Sequence, residues 1–329
     1  MTNSSSERLG EFELIAKLFA PLATSAGAFG LTDDIALLTP RAGHDIVLKA
    51  DAIVEGVHFR SSDPADRVAK KALRVNLSDL AAKGAEPIGY LLTLNLPNST
   101  GMTWLEDFAR GLGEDQKAYV ISLFGGDTTS TPGPLTIAIG AIGAIPSGTM
   151  IRRSGAKPGD LVFVSGTIGD AAGGLAVLKG NHGGLPLREK EALVRRYQLP
   201  EPRLALGQAL RGIASASLDV SDGLVADLGH IADVSHVRVA IEALRIPRSD
   251  ALKAVGDSPK DIVSAATAGD DYEIAFTAPA AKRDRVLEAA ARTSTPVTEI
   301  GRVTAGTGIT LLGPAGEEIP VARAGYQHF

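Results

Sequence analysis

Residues 135–148 read LTIAIGAIGAIPSG, and the character of the sequence changes near the end of this stretch. Up to Ile145, apolar residues alternate with small or polar ones, which is the period of a strand with one covered face. The next three residues, Pro146-Ser147-Gly148, form a turn cluster. Because strands and helices are predicted on both sides of this cluster, we predict two domains, residues 1–147 and residues 148–329.

Both blocks mix strands and helices without a regular βα repeat. In the first block the sequence predicts strands over 45–51, 90–96 and 135–145, and helices over 11–22, 66–83 and 104–115. In the second block it predicts strands over 161–165 and 274–276, and helices over 170–179, 202–214 and 224–234. Capping residues at 76–79 predict that the long helix breaks and restarts there. The fold class is therefore α+β, that is, mixed α/β, rather than a barrel.

The composition limits the classes of function. The chain has 329 residues, of which 44% are hydrophobic and 22% charged, and this suffices for two domains. No run approaches the roughly 18 to 20 apolar residues of a membrane helix, and Met1–Arg8 is too polar for a signal peptide. The chain has no cysteine, which excludes disulfides and thiolate chemistry, and its net charge of −5 without a basic block disfavours nucleic acid. We expect a cytoplasmic protein that binds neither membranes nor nucleic acid.

Acidic residues recur in short, turn-like settings that lie far apart in the chain. These settings are Thr32-Asp33-Asp34, Asp51 ahead of Glu55-Gly56, Asn76-Leu77-Ser78-Asp79, Gly125-Gly126-Asp127-Thr128 and Asp219-Val220-Ser221-Asp222-Gly223. Mg²⁺ takes carboxylate ligands from separated rigid elements and completes its coordination with water and substrate phosphates. The combination predicts Mg²⁺-dependent phosphate chemistry.

Each acidic motif also has a purely structural interpretation when it is taken alone. Ser-Asp pairs at 78–79 and 221–222 could be helix N-caps, and Gly125-Gly126-Asp127 could be a tight turn. Asp residues that end a strand, follow a glycine pair and begin helices are nevertheless placed to converge on a ligand. We therefore favour the metal interpretation of the whole set.

Three further segments each have a structural and a functional interpretation. Gly166-Thr167-Ile168-Gly169 follows a strand and opens a helix, but it lacks the Gly-Lys-Ser/Thr of a phosphate loop, so close backbone packing is favoured. The six histidines show no zinc-ligand spacing, although His58 could meet an anionic group of a substrate. Arg152-Arg153 suits a polyphosphate because each guanidinium can contact two oxygens at once, and solvated linker charge is the alternative.

These motifs occur in order along nearly the whole chain, and they resemble those of the thiamine-monophosphate kinase family. That family is part of a superfamily with aminoimidazole ribonucleotide synthetase and selenophosphate synthetase. The resemblance is carried by Gly10–Ile15, Asp33-Asp34, Asp51 with Glu55–Phe59, Asn76–Ala85, Gly125–Thr129, Arg153–Asp160, Asp219–Leu224, Gly269–Glu273 and Gly325–Phe329. The segments Glu-Gly-Val-His-Phe at 55–59 and Gly-Tyr-Gln-His-Phe at 325–329 point to this family within the superfamily.

The resemblance implies ATP-dependent phosphorylation of thiamine monophosphate to thiamine diphosphate. It further implies a homodimer in which the first domain pairs with its twin and helps form the nucleotide site. By position, the Mg²⁺ ligands are Asp34, Asp51, Asp79, Asp127, Asp219 and Asp222, the ATP contacts are Gly126, Arg153 and Ser221, and the substrate contacts are His58, Asp270 and Tyr326. The implied transfer needs no protein nucleophile, because metal ions and arginine can align the two phosphates and neutralise charge.

Three positions depart from the family pattern. Thr32 stands where the family usually has Gly, and Asp270 stands where it usually has Glu. Lys49-Ala50 stand where the family often has hydroxyl residues that assist a metal. Strand alternation puts Lys49 on the same face as Asp51, so we hypothesise that its ammonium lies at the phosphate site, contacts ATP and replaces part of one ion's charge.

Other functions remain open from the sequence. The chain could be a purine-intermediate synthetase or ligase of the same superfamily, or a nucleotide-binding maturation factor without kinase activity. A protein with structural Ca²⁺ sites is disfavoured because no segment matches an EF-hand loop.

Overall fold

The computed structural model describes residues 9–326, so Met1–Arg8 and the Gln327-His328-Phe329 part of the family resemblance lie outside the described residues. The chain forms two compact units. The first comprises the described residues up to Leu77 together with Glu86–Pro146, and the second comprises Ser78–Ala85 together with the described residues from Ser147 onward. Unlike the predicted division after residue 147, these units are not continuous in sequence. The predicted domain boundary stays a prediction.

The first unit is a four-stranded sheet accompanied by two long helices. Its elements are α1 (Glu11–Leu14), a π-helical turn Ile15–Phe19, 3₁₀ turns Ala20–Leu22 and Ala26–Leu31, β1 (His44–Val54), α2 (Ala65–Lys83, shared with the second unit), β2 (Glu86–Pro97), α3 (Met102–Tyr119), β3 (Ser122–Thr131) and β4 (Thr136–Pro146). The strand order is β1-β4-β2-β3, with β4 antiparallel to both neighbours and β2 parallel to β3. One sheet face carries buried apolar side chains such as Ile53, Ile139 and Leu92.

The second unit is built on a six-stranded sheet. Its strands are β5 (Asp160–Ser165), β6 (Ala216–Asp219), β7 (Arg238–Glu242), β8 (Ile274–Pro279), β9 (Val297–Thr304) and β10 (Gly308–Leu312). The helices are α4 (Asp170–Leu178), α5 (Leu187–Gln198), α6 (Leu204–Ala209), α7 (Leu224–Ser235), α8 (Asp250–Val255), α9 (Pro259–Ala266) and α10 (Arg283–Arg292), with 3₁₀ turns Ala243–Arg245 and Ala280–Lys282. The strand order is β10-β7-β9-β5-β8-β6. The mixed α/β class predicted from the sequence is confirmed.

Three local predictions are wrong. α2 does not break at Asn76, whose side chain donates to the Ala72 carbonyl and accepts from the Asp51 N–H while the helix continues. The helix predicted over 202–214 is only α6, because the chain turns at Gly212, whose φ is +67°. The glycine pair before Asp127 is not a turn but part of β3, a strand that the sequence did not predict.

Candidate active site

A cavity in the first unit brings together three predicted site residues. Asp34, Gly126 and Asp127 line a space of about 660 Å³, within the range of small-molecule sites. Apolar side chains, including Phe19 and Phe124, form much of the remaining lining. Asp33 also lines it, so the cavity combines three carboxylates with an apolar wall, as expected for a metal-bound substrate with an organic part.

Glycine is required at position 126 by the packing of two strands, which the sequence alone does not reveal. A Cβ at this position would lie 1.8 Å from the Leu92 carbonyl oxygen on the paired strand β2. Only glycine permits this approach of the two backbones, and a glycine in a strand often marks such a contact. This close packing of β2 and β3 also fixes the backbone immediately before Asp127.

Lys49 and Asp51 lie on one face of β1, as strand alternation predicts. The Lys49 Nζ atom lies 3.0 Å from Asp51 Oδ1 in an ion pair that is partly exposed. The Asp51 N–H donates to the Asn76 side chain on α2 at 3.0 Å, which fixes the backbone at this carboxylate. The Lys49 ammonium is thus placed beside a predicted metal ligand.

Asp51 and Asp127 do not meet within one chain. Asp51 pairs with Ile139 on β4, and Ile139 pairs with Leu92 on β2. Leu92 pairs with Gly126 on β3, so three strand spacings, about 14 Å, separate Asp51 from the neighbour of Asp127. Adjacent strand positions point to opposite faces, so the two carboxylates also leave opposite faces of the sheet. One ion cannot be bound by both carboxylates of a single copy.

His58 is held in a defined tautomer. Its Nδ1 atom accepts a hydrogen bond from the Val54 N–H at 3.0 Å, so a neutral imidazole carries its proton on Nε2. Its carbonyl accepts from the ammonium of Lys71, a buried residue of α2, at 2.9 Å. In this tautomer Nε2 is the donor nitrogen of the ring, and a donor is what contact with an anionic group requires.

In the second unit, Asp227 shapes the segment before α7. Its Oδ2 atom accepts from the N–H groups of Ser221, Asp222 and Gly223 at 3.0, 3.0 and 3.1 Å. Burial, and after it the charge of Asp222, raise the pKa of Asp227 to about 7, although the three N–H donors act in the opposite direction. The alternative N-cap interpretation of this Ser-Asp pair does not hold, because Gly223 is the N-cap of α7 and the Asp227 carboxylate, in the first turn of the helix, binds the preceding backbone.

The residues around Asp222 fit an oxygen-ligand ion. Ligand atoms of Asp222, Asp227 and His230 lie within 4.8 Å of one another. Carboxylate oxygens suit Mg²⁺ whereas imidazole does not, and Asp227 already accepts three backbone N–H groups. Asp222 is therefore the group of this cluster best suited to Mg²⁺, with Asp219 buried at the end of β6 nearby in sequence.

Two predicted substrate residues are tied to the same backbone. The Asp270 N–H donates to the Ser221 carbonyl at 2.8 Å, and the Tyr326 N–H donates to the Asp222 carbonyl at 2.9 Å. The chain positions predicted to contact ATP, metal and thiamine phosphate are thus hydrogen-bonded neighbours in this unit. Arg153, by contrast, is exposed, and its carbonyl accepts from the Ser235 hydroxyl at 3.4 Å.

The predicted residues divide between the two units. In the first are Asp34, Lys49, Asp51, His58, Gly126 and Asp127, and in the second are Asp79, Arg153, Asp219, Ser221, Asp222, Asp270 and Tyr326. Asp79 lies inside α2 and not at its start, so it is not an N-cap. The preceding residue, Ser78, donates to the Tyr272 carbonyl at 3.4 Å, which links this turn of α2 to the Asp270 segment.

The glycine-rich segment before α4 serves packing, as favoured from the sequence. The Gly169 N–H donates to the buried Asp271 carboxylate at 2.7 Å. At Gly166, where φ is +56°, a Cβ would lie 2.0 Å from the Glu273 carboxylate. These two acidic residues were missed by sequence reasoning, although both belong to the Gly269–Glu273 motif.

Comparison with known proteins identifies the family. The model of the AIR synthase related protein, N-terminal domain, matches residues 32–145, and that of the C-terminal domain matches residues 157–313. A thiamine-monophosphate kinase of Caulobacter vibrioides is 43% identical over 323 residues, covering 97% of this chain and 90% of the relative. The chain belongs to the thiamine-monophosphate kinase family. The resemblance deduced from the motifs is confirmed.

Solved structures of this thiamine-monophosphate kinase family agree with the fold. A thiamine-monophosphate kinase from Stenotrophomonas maltophilia K279a is 40% identical, with a TM-score of 0.84 over 94% of this chain and 98% of that one. AaThiL complexed with AMPPCP and TMP is 32% identical, with a TM-score of 0.78 over 98% of this chain and 99% of that one. Among residues 9–326, no helix is long and apolar enough to cross a membrane.

Proposed function

We propose that this protein transfers the γ-phosphoryl group of ATP to thiamine monophosphate, forming thiamine diphosphate and ADP. The observation that carries the proposal is the 43% identity with a thiamine-monophosphate kinase over 97% of the chain. The complex of AaThiL with AMPPCP and TMP, at 32% identity, supports the same pair of substrates. The purine-intermediate synthetase and the maturation factor are not favoured by these relatives. The cytoplasmic location and the lack of nucleic-acid binding stay predictions.

The transfer is a direct displacement at the γ-phosphorus. An oxygen of the thiamine phosphate, already ionised at neutral pH, forms a bond to the γ-phosphorus while the bond to the β,γ-bridging oxygen breaks, and ADP leaves with the electron pair. Because the nucleophile needs no deprotonation, no protein base is required. The protein acts by binding and aligning two anions that otherwise repel each other.

The carboxylates Asp34, Asp51, Asp79, Asp127, Asp219 and Asp222 are the proposed Mg²⁺ ligands. Bound Mg²⁺ neutralises phosphate charge and orients the reacting groups. Gly126 and Ser221 present backbone near these ligands, and Arg153 supplies a guanidinium for the phosphates of ATP. His58 donates through Nε2 to the thiamine phosphate.

The direct test is an incubation of the purified protein with Mg²⁺, ATP and thiamine monophosphate. We expect thiamine diphosphate and ADP to accumulate in equal amounts, as followed by chromatography. ADP without thiamine diphosphate, or ATP binding without any product, contradicts the proposal and returns the chain to the ligase or maturation-factor alternatives.

We also propose that the protein is a homodimer formed through the first unit. The face of the sheet opposite the buried one exposes Leu48 and Leu91, which are 77% and 46% exposed. Their strand partners on this face are Ile142 and Gly140. A contiguous apolar sheet face of this kind commonly binds a partner, and pairing with a second copy buries it on both.

Such a dimer also changes which strands that carry Asp51 and Asp127 lie close together. β1 and β3 are the two edge strands of the sheet. If two sheets pack face to face about a two-fold axis that runs along the strands, the β3 edge of one copy lies over the β1 edge of the other. Asp127 of one copy then faces the β1 edge of its partner, and because the Asp51 side chain leaves the other face of that strand, a shared site requires the Asp51 carboxylate to reach around this edge.

Lys49→Thr tests the hypothesis that the Lys49 ammonium replaces part of the charge of one metal ion. Removal of the Lys49–Asp51 ion pair, now 3.0 Å long, is expected to raise the number of Mg²⁺ ions bound with ATP or to steepen the Mg²⁺ dependence of the rate. Calorimetric titration of Mg²⁺ into the protein with AMPPCP measures the stoichiometry. Lys70→Thr, which removes the ion pair of Lys70 with Glu114 on α3, is the control, and Lys49→Thr titration curves that match the wild type count against the idea.

His58→Asn tests the Nε2 donor. The Asn side chain can still accept from the Val54 N–H but does not reach as far as the imidazole Nε2. We expect KM for thiamine monophosphate to rise by about 10-fold or more, because a hydrogen bond to a charged group is lost, while KM for ATP stays unchanged. His44→Asn, at the other end of β1, is the matched control. An equal effect on both substrates would rule out a specific contact with the thiamine phosphate.

A further inference from the structure

The segment Gly269–Glu273 has an unusual backbone. Asp270 and Tyr272 both adopt positive φ angles, +73° and +51°, although neither is glycine. Such conformations cost free energy and persist only where surrounding contacts enforce them, and functional sites are one place where they cluster. The positive φ angles of Asp270 and Tyr272 therefore indicate a role for this segment beyond reversing the direction of the chain.

Hydrogen bonds on both sides of the segment enforce this backbone. The Asp270 N–H donates to the Ser221 carbonyl and the Tyr272 N–H to the Val220 carbonyl, each at 2.8 Å. Between them, the wholly buried Asp271 carboxylate accepts from the Gly169 N–H at 2.7 Å. The strained segment is thus attached to the loop that carries Ser221 and to the start of α4.

The two strained residues touch each other through their side chains. The Tyr272 hydroxyl donates to Asp270 Oδ1 at 3.1 Å. Tyr272 is only 8% exposed, so its ring is held by packing and its hydroxyl has a fixed position. A rigid donor of this kind selects one orientation of the shorter, more mobile carboxylate.

We propose that Tyr272 is a positioning residue that orients the Asp270 carboxylate toward the organic part of thiamine monophosphate. The inference rests on the proposed function and deepens it. An ionised carboxylate repels the substrate's phosphate, whereas the thiazolium cation and the amino group of the pyrimidine attract it. Asp270 therefore recognises the cationic, amine-bearing end of the substrate, and Tyr272 fixes the direction from which it does so.

Tyr272→Phe removes the hydroxyl and keeps the ring. Binding of thiamine monophosphate is measured by calorimetry on the full chain with Mg²⁺ and AMPPCP, and the steady-state constants are measured in parallel. We expect Kd and KM for thiamine monophosphate to rise about 5-fold to 10-fold, with KM for ATP and the melting temperature little changed. Tyr197→Phe, which also alters a buried tyrosine of the second unit, is the control.

A double-mutant cycle with Asp270→Asn separates positioning from packing. If Tyr272 acts through Asp270, adding Tyr272→Phe to Asp270→Asn causes little further loss of thiamine monophosphate affinity. Independent, multiplicative losses, or an equal loss of affinity for AMPPCP with a lower melting temperature, overturn the positioning role. A wild-type protein that binds no thiamine monophosphate overturns the proposed function and this inference with it, whereas normal binding by both wild type and Tyr272→Phe overturns the inference alone.

Discussion

Asp127→Asn is expected to lower kcat by about 1,000-fold while the protein keeps its fold, because loss of one anionic ligand removes several kcal/mol of transition-state stabilisation. Asp127 lies on β3 at the wall of the 660 Å³ cavity, where an amide of the same size causes no packing change. The measurement is kcat at saturating ATP and thiamine monophosphate over a range of Mg²⁺ concentrations. Asp107→Asn, on the exposed surface of α3, is the matched control and should retain wild-type activity.

Mixing two inactive variants tests whether the site is shared between copies. Asp51→Asn and Asp127→Asn are each expected to be inactive. If one site takes Asp51 from one copy and Asp127 from the other, half of the dimers in an equal, fully exchanged mixture are mixed, and each has one intact site. Activity then recovers to about a quarter of the wild-type value. If both carboxylates act within one copy, no site in any dimer is intact and nothing recovers.

The sequence predicted those parts of the fold whose cause is local. The strand that ends near Ile145 follows from alternation, and the helix over 66–83 follows from its apolar spacing. The Gly-Gly-Asp segment in β3 could not be predicted in this way, because its cause is a contact with another strand. Glycine pairs usually signal turns, but here Gly126 is required because the Leu92 carbonyl of the neighbouring strand lies too close for any Cβ. The residues next to Gly126 in the sequence give no sign of this contact between strands.

The candidate site divides in the same way. Asp34, Asp127 and Asp222 could be selected from their residue type and the turn-like character of the sequence around them. Asp227 could not, because its role depends on three backbone N–H groups that only the fold gathers around it. Its one sequence signal is an acidic residue four positions after Gly223, which is common in the first turn of a helix and carries no functional meaning by itself.

The structural role of Glu273 was likewise not predicted from the sequence. Among the substitutions proposed for this protein, its replacement should have the largest effect on stability. Its carboxylate has no exposed surface and binds Arg196 at 2.7 Å, Arg203 through two bonds of 2.6 and 2.8 Å, and the Ser165 hydroxyl at 2.6 Å. Burial lowers the pKa of the Arg203 guanidinium, but the hydrogen bonds and charges of Glu273 and Glu201 together outweigh it, so that this pKa is raised. Glu273→Ala leaves both guanidinium groups without this partner in the interior, so the free energy of unfolding should fall by about 3 to 5 kcal/mol.

Glu299→Ala is a closely matched control, since Glu299 also pairs with two arginines, Arg245 and Arg283, at 3.2 and 2.8 Å. Those arginines are 45% and 51% exposed, so water replaces the lost carboxylate and the loss should stay within about 1 kcal/mol. Guanidinium unfolding followed by circular dichroism compares the two variants under identical conditions. Equal losses would mean that burial does not govern these pairs. A much larger loss for Glu273→Ala means that the Arg196–Glu273–Arg203 cluster holds the strand that follows the Asp270 segment, because β8 begins at the next residue, Ile274.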